Sequence, residues 1–315
     1  MTSHITVNAA RCKGCNLCLE VCPKNVIEPA KISNNAGYTY VRAGNPDACI
    51  GCGMCAQVCP DCAITVEKDG KVIASKPAVI REESSTYCPG CAHGVVQRLI
   101  AEAIDEMGGK SEFIGVTPIG CSIFIYKIMD LDFVEGAHGR APAVASGIKR
   151  VHPGKHVFTY QGDGDISSIG ISEIIHAAIR NEKIAVFFLN NGNYGMTGGQ
   201  AAPTTLVGQV TSSTPYGKTV EQGMPIHMCE LLANVAADNA YIARGASDTP
   251  QHIRKTGQYV KKALENSMSG FSIVEVLGIC PSNWKMTPVK SLDWVRDKMI
   301  PNFKLGEIKP RGMEQ

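Results

Sequence analysis

From residue 88 onward, two apolar periods alternate along the chain. Residues 95–107, 171–180, 230–237 and 251–266 place apolar side chains three and four apart, the period of a helix with one buried face. Small residues over 141–150 predict a further helix. Between these segments lie short apolar runs at 113–116, 156–160, 184–189, 241–243 and 272–277. The run Ile-Ala-Val-Phe-Phe-Leu at 184–189 has no polar alternation, as expected of a strand covered on both faces. Strands alternating with helices predict an α/β fold, a doubly wound parallel sheet with helices on both sides. Residues 1–76 read differently. They are rich in Cys, Gly, Pro and Asn, and predict a small, loop-rich α+β module. Residues 77–87 read as a linker, 88–290 as the main domain, and the polar segment 291–315 as a tail lying at a subunit interface or left mobile.

Composition narrows the function. The 315 residues are 44% apolar and carry a net charge of +2, so neither a nucleic-acid nor a membrane-surface partner is expected. No stretch approaches the roughly 18 to 20 apolar residues of a membrane span. Residues 1–7 lack the basic and apolar regions of a leader, and the cytoplasm is the expected compartment. The 14 cysteines are the anomaly, because a chain of this size does not need a disulfide scaffold. Nine of them lie between Cys12 and Cys62 at short spacings, which in a reducing compartment reads as metal or cluster ligation.

Within that stretch Cys-x2-Cys-x2-Cys-x3-Cys-Pro occurs twice: Cys12, Cys15, Cys18, Cys22 and Pro23, then Cys49, Cys52, Cys55, Cys59 and Pro60. A tight loop can present three thiolates to one cubane but not a fourth, so each copy lends its last cysteine to the other. Cluster one then takes Cys12, Cys15, Cys18 and Cys59. Cluster two takes Cys49, Cys52, Cys55 and Cys22. Zinc would want separated Cys-x2-Cys pairs instead. The repeat resembles the bacterial-type two-[4Fe–4S] ferredoxin over about 60 residues. Cys62 stands outside the eight and reads as a small buried apolar side chain.

Gly162-Asp163-Gly164 follows the run at 156–160, and Asn190-Asn191 comes 25 residues later at the end of the run at 184–189. This resembles the thiamine-diphosphate signature. A diphosphate with no Lys or Arg nearby in sequence needs a divalent cation, and Mg²⁺ takes oxygen ligands. Asp163 and Asn191 offer side-chain oxygens and Asn193 a carbonyl. Both pieces follow strands, where ligands bind in open parallel sheets. The segment 162–167 lacks the Gly-x-Gly-x-x-Gly of a nicotinamide site.

Tyr-Cys-Pro-Gly-Cys-Ala-His-Gly from Tyr87, Ile-Gly-Cys-Ser from Ile119, Gly-Ala-His-Gly-Arg-Ala-Pro from Gly136, Gly-Asp-Gly-Asp from Gly162 and Asn-Asn-Gly-Asn-Tyr-Gly-Met-Thr-Gly-Gly-Gln from Asn190 occur in order. Over about 190 residues they resemble the thiamine-diphosphate-binding beta subunit of 2-oxoacid:ferredoxin oxidoreductases. The resemblance implies a proximal [4Fe–4S] cluster on Cys88, Cys91, Cys121 and Cys280, giving three clusters in all. It places Cys121, Ser122, His138, Gly139, Arg140, Gly162, Asp163, Gly164, Asp165, Asn191, Tyr194, Gly195, Met196 and Thr197 around the cofactor. Met196, Thr197 and His138 fall near the reacting centre, though no residue of this chain stands out as catalytic. Cys229 is left over and reads as core.

The implied reaction is oxidative decarboxylation of a 2-oxoacid to acyl-CoA and CO2, with single electrons leaving through the clusters to soluble ferredoxin. It belongs to anaerobic metabolism. No glutamate has the strand context expected for activating the aminopyrimidine. The resemblance places that residue on an alpha subunit, so alpha and gamma partners are expected. Apolar Met196, and Gly198 where 2-oxoglutarate members often carry Lys, point to an uncharged branched-chain substrate, 2-oxoisovalerate. 2-Oxoglutarate, pyruvate and arylpyruvates are the alternatives. Two rival classes are an electron-transfer subunit without thiamine chemistry of its own and a non-oxidative thiamine decarboxylase. Intact Asp163 and Asn191 speak against the first, and twelve cluster-type cysteines against the second.

Overall fold

A computed structural model describes residues 2–310. The N-terminal module is built from strands β1 (Ser3–Val7), β2 (Ile27–Ser33), β3 (Thr39–Ala43), β4 (Ile64–Lys68) and β5 (Lys71–Ala74). β1, β4 and β5 form one antiparallel sheet, and β2 pairs with β3. Two single-turn helices, Leu17–Glu20 and Met54–Gln57, sit at equivalent places in the two cysteine repeats. Each follows a residue in the left-handed conformation, Asn16 and Gly53, which turns the cysteine loop sharply into the helix.

The main domain is a seven-stranded sheet. Its strands are β6 (Phe113–Thr117), β7 (Asp132–Glu135), β8 (His156–Gly162), β9 (Ala185–Asn190), β10 (Tyr241–Ala246), β11 (Ser272–Leu277) and β12 (Gly306–Lys309). The order is β12-β10-β11-β9-β8-β6-β7, parallel except for antiparallel β12. In β9 every residue is buried. Phe187 and Leu189 face one core, with the helices Ala92–Glu106 and Pro250–Asn266. Val186 and Phe188 face the other, with Ala141–Val151, Ile171–Ile179 and Met228–Ala233. This two-sided burial is why β9 reads as an unbroken apolar run.

Two strands, β7 and β12, escape the apolar pattern. Both are polar edge strands with one ladder neighbour and no fully buried residue. The segment from 288 onward also departs from its polar reading. A helix over Pro288–Trp294 continues through a π-helical stretch, Val295–Met299, to Asn302. Leu292, Val295, Met299 and Phe303 are buried against the chain's own core. Residues 311–315 of the expected tail lie outside the described residues.

The segment 77–87 is pinned rather than loose. The Arg11 guanidinium donates to the carbonyls of Arg81, Glu82 and Glu83 at 2.8–3.0 Å. Lys13 and Asp61 form a buried ion pair at 2.7 Å, and Lys13 also donates to Ser85 Oγ and the Tyr87 carbonyl. Val79 and Ile80 join a core cluster that runs from the N-terminal module into the main domain. Gly94, in the first long helix, lets that helix approach the Pro60 carbonyl. A Cβ there would stand 2.1 Å from the oxygen.

Candidate functional site

The strands β6, β7, β8, β9 and β11 all point their C-terminal ends at one edge of the sheet, and the loops leaving them converge there. They frame a half-open cavity of about 120 Å³ lined by His93, Ile119, Gly120, Cys121, His138, 162–165, Asn191 and 193–197. Asp163 is buried where β8 turns into a helix. Its carboxylate accepts from the Gly164 N–H at 2.9 Å and from Thr204 Oγ1 at 2.5 Å. Among the described residues it forms no ion pair, and burial pushes its pKa up to about 7. Asn191 and Asn193 line the same cavity. A buried carboxylate with amide and carbonyl oxygens around one cavity is a donor set that fits a hard divalent cation.

Asp165 does different work. Its Oδ1 accepts from the Gly139 N–H at 2.7 Å and from His138 Nδ1, and its Oδ2 from Gln161 at 2.6 Å. With its acceptors engaged inside the chain, it ties the loop after β7 to the turn after β8. The bond to Asp165 raises the His138 pKa above its ordinary value, and the Ile119 carbonyl adds to this. Gly139 therefore acts through its backbone. Arg140 does not line the cavity: it precedes the helix Ala141–Val151 and pairs with Glu173. Ser122 is buried beside Cys121, outside the lining, with its hydroxyl unpartnered.

The cysteines gather as three quartets. Cys12, Cys15, Cys18 and Cys59 line one small cavity. Cys22, Cys49, Cys52 and Cys55 line another. Each space thus takes three cysteines from one repeat and one from the other. Among the described residues no three His, Cys, Asp or Glu converge on a point fit for a single ion. The quartets surround volumes instead, as an inorganic cluster requires. Burial and the neighbouring thiols Cys52, Cys22 and Cys49 push Cys55 up to about 12 against the lowering bond of the Ala56 N–H. Cys59 is pushed up to about 11, by burial first and Asp61 next. Such thiols ionise only when a cationic centre takes the place of their protons.

Cys88, Cys91, Cys121 and Cys280 form the third group. Burial and then Cys280 and Cys88 push Cys121 up to about 12, and Cys91 is raised by burial and by all three partners. The group touches the cofactor pocket at Gly195, where a Cβ would sit 3.1 Å from Cys121 Sγ. Asn283 Nδ2 donates both to the Gly195 carbonyl at 2.9 Å and to Cys280 Sγ at 3.4 Å, joining the two sites. Cys62 and Cys229 are buried away from the quartets' cavities, Cys229 donating to Glu275 Oε2 at 3.3 Å.

Comparison with known proteins agrees with this geometry. The family described as thiamine pyrophosphate enzyme, C-terminal TPP binding domain, matches residues 119–276, and the 4Fe-4S dicluster domain matches residues 11–63. The 2-oxoglutarate synthase subunit KorB of Methanocaldococcus jannaschii is 37% identical over 220 residues, 68% of this chain and 78% of the relative. The chain belongs to the family of 2-oxoacid:ferredoxin oxidoreductase subunits. It carries that family's thiamine-diphosphate-binding domain together with an iron–sulfur dicluster domain.

Another relative, the ketoisovalerate oxidoreductase subunit VorA of Methanothermobacter marburgensis, is 46% identical over 231 residues, 72% of this chain and 48% of the relative. The chain thus spans about half the length of the VorA relatives it matches. Among solved structures, the 2-oxoglutarate:ferredoxin oxidoreductase from Magnetococcus marinus, with 2-oxoglutarate, coenzyme A and succinyl-CoA bound, matches at a TM-score of 0.61 and 28% identity, over 71% of this chain and 74% of that one. Within this family fold, His93 and Thr204 are among the residues of the site that escape sequence reasoning. His93 lines the cavity with Nδ1 2.6 Å from the Tyr160 hydroxyl, and burial drops its pKa to about 3. Its signal was its place in the Cys-Pro-Gly-Cys-Ala-His-Gly run. Thr204 reaches Asp163 from a distant loop and carried no signal. Among the described residues no helix is long and apolar enough to cross a membrane.

Proposed function

We propose that this chain is the thiamine-binding subunit of an enzyme that converts a branched-chain 2-oxoacid anion, with coenzyme A, into acyl-CoA, CO2, a proton and two electrons. The observation that carries this is Cys121. It lines the same cavity as Asp163, Asn191 and Asn193 and also belongs to the group with Cys88, Cys91 and Cys280. A cofactor pocket sharing a wall with a thiol quartet suits chemistry in which electrons leave the reacting carbon singly.

On this reading Asp163, Asn191 and the Asn193 carbonyl hold Mg²⁺ against the diphosphate, and the three quartets hold three [4Fe–4S] clusters. When bound, thiamine diphosphate supplies an electron sink at the reacting carbon, and the clusters supply one-electron acceptors. The chain's own residues bind, orient and exclude water. The His138–Asp165 pair fixes the floor of the pocket, while Met196 and Thr197 stand at its mouth. The lining contains no Glu, which fits activation of the aminopyrimidine by a partner subunit. Alpha and gamma subunits of one cytoplasmic complex and soluble ferredoxin complete the system.

The substrate reading rests on the absence of any Lys or Arg from the described lining. A distal carboxylate would find no counter-charge there, whereas apolar Met196 suits a branched alkyl group. The kinship to KorB subunits favours a second reading, 2-oxoglutarate, which then needs its cation from a partner subunit. The test is viologen reduction by the anaerobic native complex with coenzyme A and each of 2-oxoisovalerate, 2-oxoglutarate, pyruvate and phenylpyruvate. Preference for 2-oxoisovalerate supports the reading. Preference for 2-oxoglutarate moves specificity to the partner, and no reduction with any of them overturns the assigned activity.

A further inference from the structure

The two cysteine repeats match in spacing but differ at two positions beside their cysteines. Lys13, in the loop from Cys12 to Cys15, answers to Ile50 in the loop from Cys49 to Cys52. Asp61, after Cys59 and Pro60, answers to Lys24, after Cys22 and Pro23. Each repeat lends its last cysteine to the other quartet. Lys13 and Asp61 therefore both line the cavity of the first quartet, and Ile50 and Lys24 both line that of the second. Lys13 and Asp61 are buried, whereas Ile50 and Lys24 are exposed. The second repeat forms the same loop and single-turn helix without a buried ion pair. The pair is thus not what a repeat needs in order to fold around its cysteines.

Lys13 Nζ stands 2.7 Å from Asp61 Oδ1 and donates to Ser85 Oγ and to the Tyr87 carbonyl, each at 2.7 Å. All three protons of the ammonium are engaged. Ser85 donates in turn to the same Asp61 oxygen at 2.9 Å. Besides the cysteines, Lys13 and Asp61 are the only charged side chains in the described lining of this cavity. Arg11 reaches the Asp61 carbonyl at 2.8 Å but stays outside the lining. Two opposite charges are therefore fixed beside the first quartet, out of reach of most screening by salt. Lys13 follows Cys12, and Tyr87 precedes Cys88 of the third quartet, so the bond between them also ties the loops of two quartets together.

We propose that the Lys13–Asp61 pair sets the reduction potential of the cluster in the first quartet, separately from that of its twin in the second. One electron from the 2-oxoacid makes the cluster more negative by one unit, and its departure to the next acceptor restores the charge. The ammonium favours the reduced form and the carboxylate the oxidised form, and the potential lies where the two balance. The inference rests on the proposed function for the clusters and for the source of electrons.

The test is an anaerobic redox titration of the intact complex followed by electron paramagnetic resonance, with iron content measured on each sample. The signal of the first quartet is the one lost in Cys59→Ser. Lys13→Gln removes the positive charge and should shift the reduced-to-oxidised ratio at fixed potential about tenfold toward oxidised, a midpoint lower by about 59 mV for one electron. Asp61→Asn should shift it by a similar factor the other way. The double variant should return close to wild type, and the signal of the second quartet should stay in place throughout. If Lys13→Gln loses its iron, the fall from Asp61→Asn to the double variant reads the same Lys13 charge with no carboxylate left unpaired. Single variants that move the midpoint in the same direction, leave it in place or move both clusters equally overturn the proposal. A wild-type first quartet without iron overturns the cluster reading and the proposal with it. Opposite shifts in a complex that reduces nothing with any 2-oxoacid overturn the assigned activity and leave the role of the pair standing.

Discussion

Replacing Gly94 by alanine pits two effects against each other, and the structure decides which prevails. In a helix interior the change alone should stabilise by about 1 kcal/mol. Here the new Cβ would lie 2.1 Å from the Pro60 carbonyl oxygen and 2.8 Å from Pro60 C and Cβ. A real Cβ does not come within 3.0 Å of such an atom, so the Pro60 carbonyl must retreat by at least about 0.9 Å. That backbone joins Cys59 of the first quartet to Asp61, which holds Lys13 at 2.7 Å and offers its carbonyl to Arg11 at 2.8 Å. Because the obstacle is backbone, the cost should sit near the top of the overpacking range, about 3 kcal/mol. The net loss is about 2 kcal/mol. At about 2.1 cal/mol/K per residue over 315 residues, that lowers the melting midpoint by about 3 °C.

The assay is scanning calorimetry of the cofactor-loaded chain, paired with iron content. Gly147→Ala is the control. Gly147 is also helical, but a Cβ there meets nothing within 4 Å, so the control should gain up to about 1 kcal/mol. Gly94→Ala should also lose iron from the quartet containing Cys59 before the one containing Cys52. If Gly94→Ala melts like Gly147→Ala with full iron, the close packing of the two modules is not what holds the first quartet in place.

Four further outcomes follow from the geometry. Arg244→Leu strands Glu275, whose carboxylate is fully buried against the guanidinium at 2.7 Å, and should cost about 3–5 kcal/mol by calorimetry. Thr204→Val removes a hydroxyl that holds the Asp163 pKa down, so the value of about 7 rises further. A proton then competes harder for the carboxylate, so Mg²⁺ titrated into the cofactor-free chain should bind more weakly at pH 7 and recover as pH rises. Asp165→Asn removes the main cause of the raised His138 pKa, so the His138 ring, followed by NMR, should titrate closer to 6.5. The stability that bond contributes is present below the unfolded pKa and lost as pH rises through the folded one, and the variant should lack that decline. Cys62→Ala should keep the wild-type iron content, while Cys59→Ser should lose iron and broaden the cluster spectrum.

What the sequence revealed and what it hid divide along physical lines. The cysteine repeats were legible because side chains that surround one small volume come at short, regular spacings, and Asp163 and Asn191 because each follows the end of an apolar run. β9 was legible because burial on both faces forces an unbroken apolar run, and β11 because only Glu275 interrupts its apolar residues. β7 and β12 were not, because an edge strand needs one ladder partner and few buried side chains. Leu292, Val295, Met299 and Phe303 did keep helical spacing, but the charged residues between them made the segment look like a polar tail. Thr204 meets Asp163 across 41 residues, and no local pattern encodes such a pairing. Arg140 sits in a motif, yet its side chain turns to Glu173 because its place before the helix Ala141–Val151 aims it there.

The Arg11 guanidinium, gripping three successive carbonyls of the segment 77–87, settles how the N-terminal module behaves as a carrier. A module on a slack tether would sample many positions, and its effective concentration at the cofactor would depend on tether length. Here the tether is clamped, so the module is held in one place against the main domain. Dilution cannot uncouple it and crowding cannot displace it.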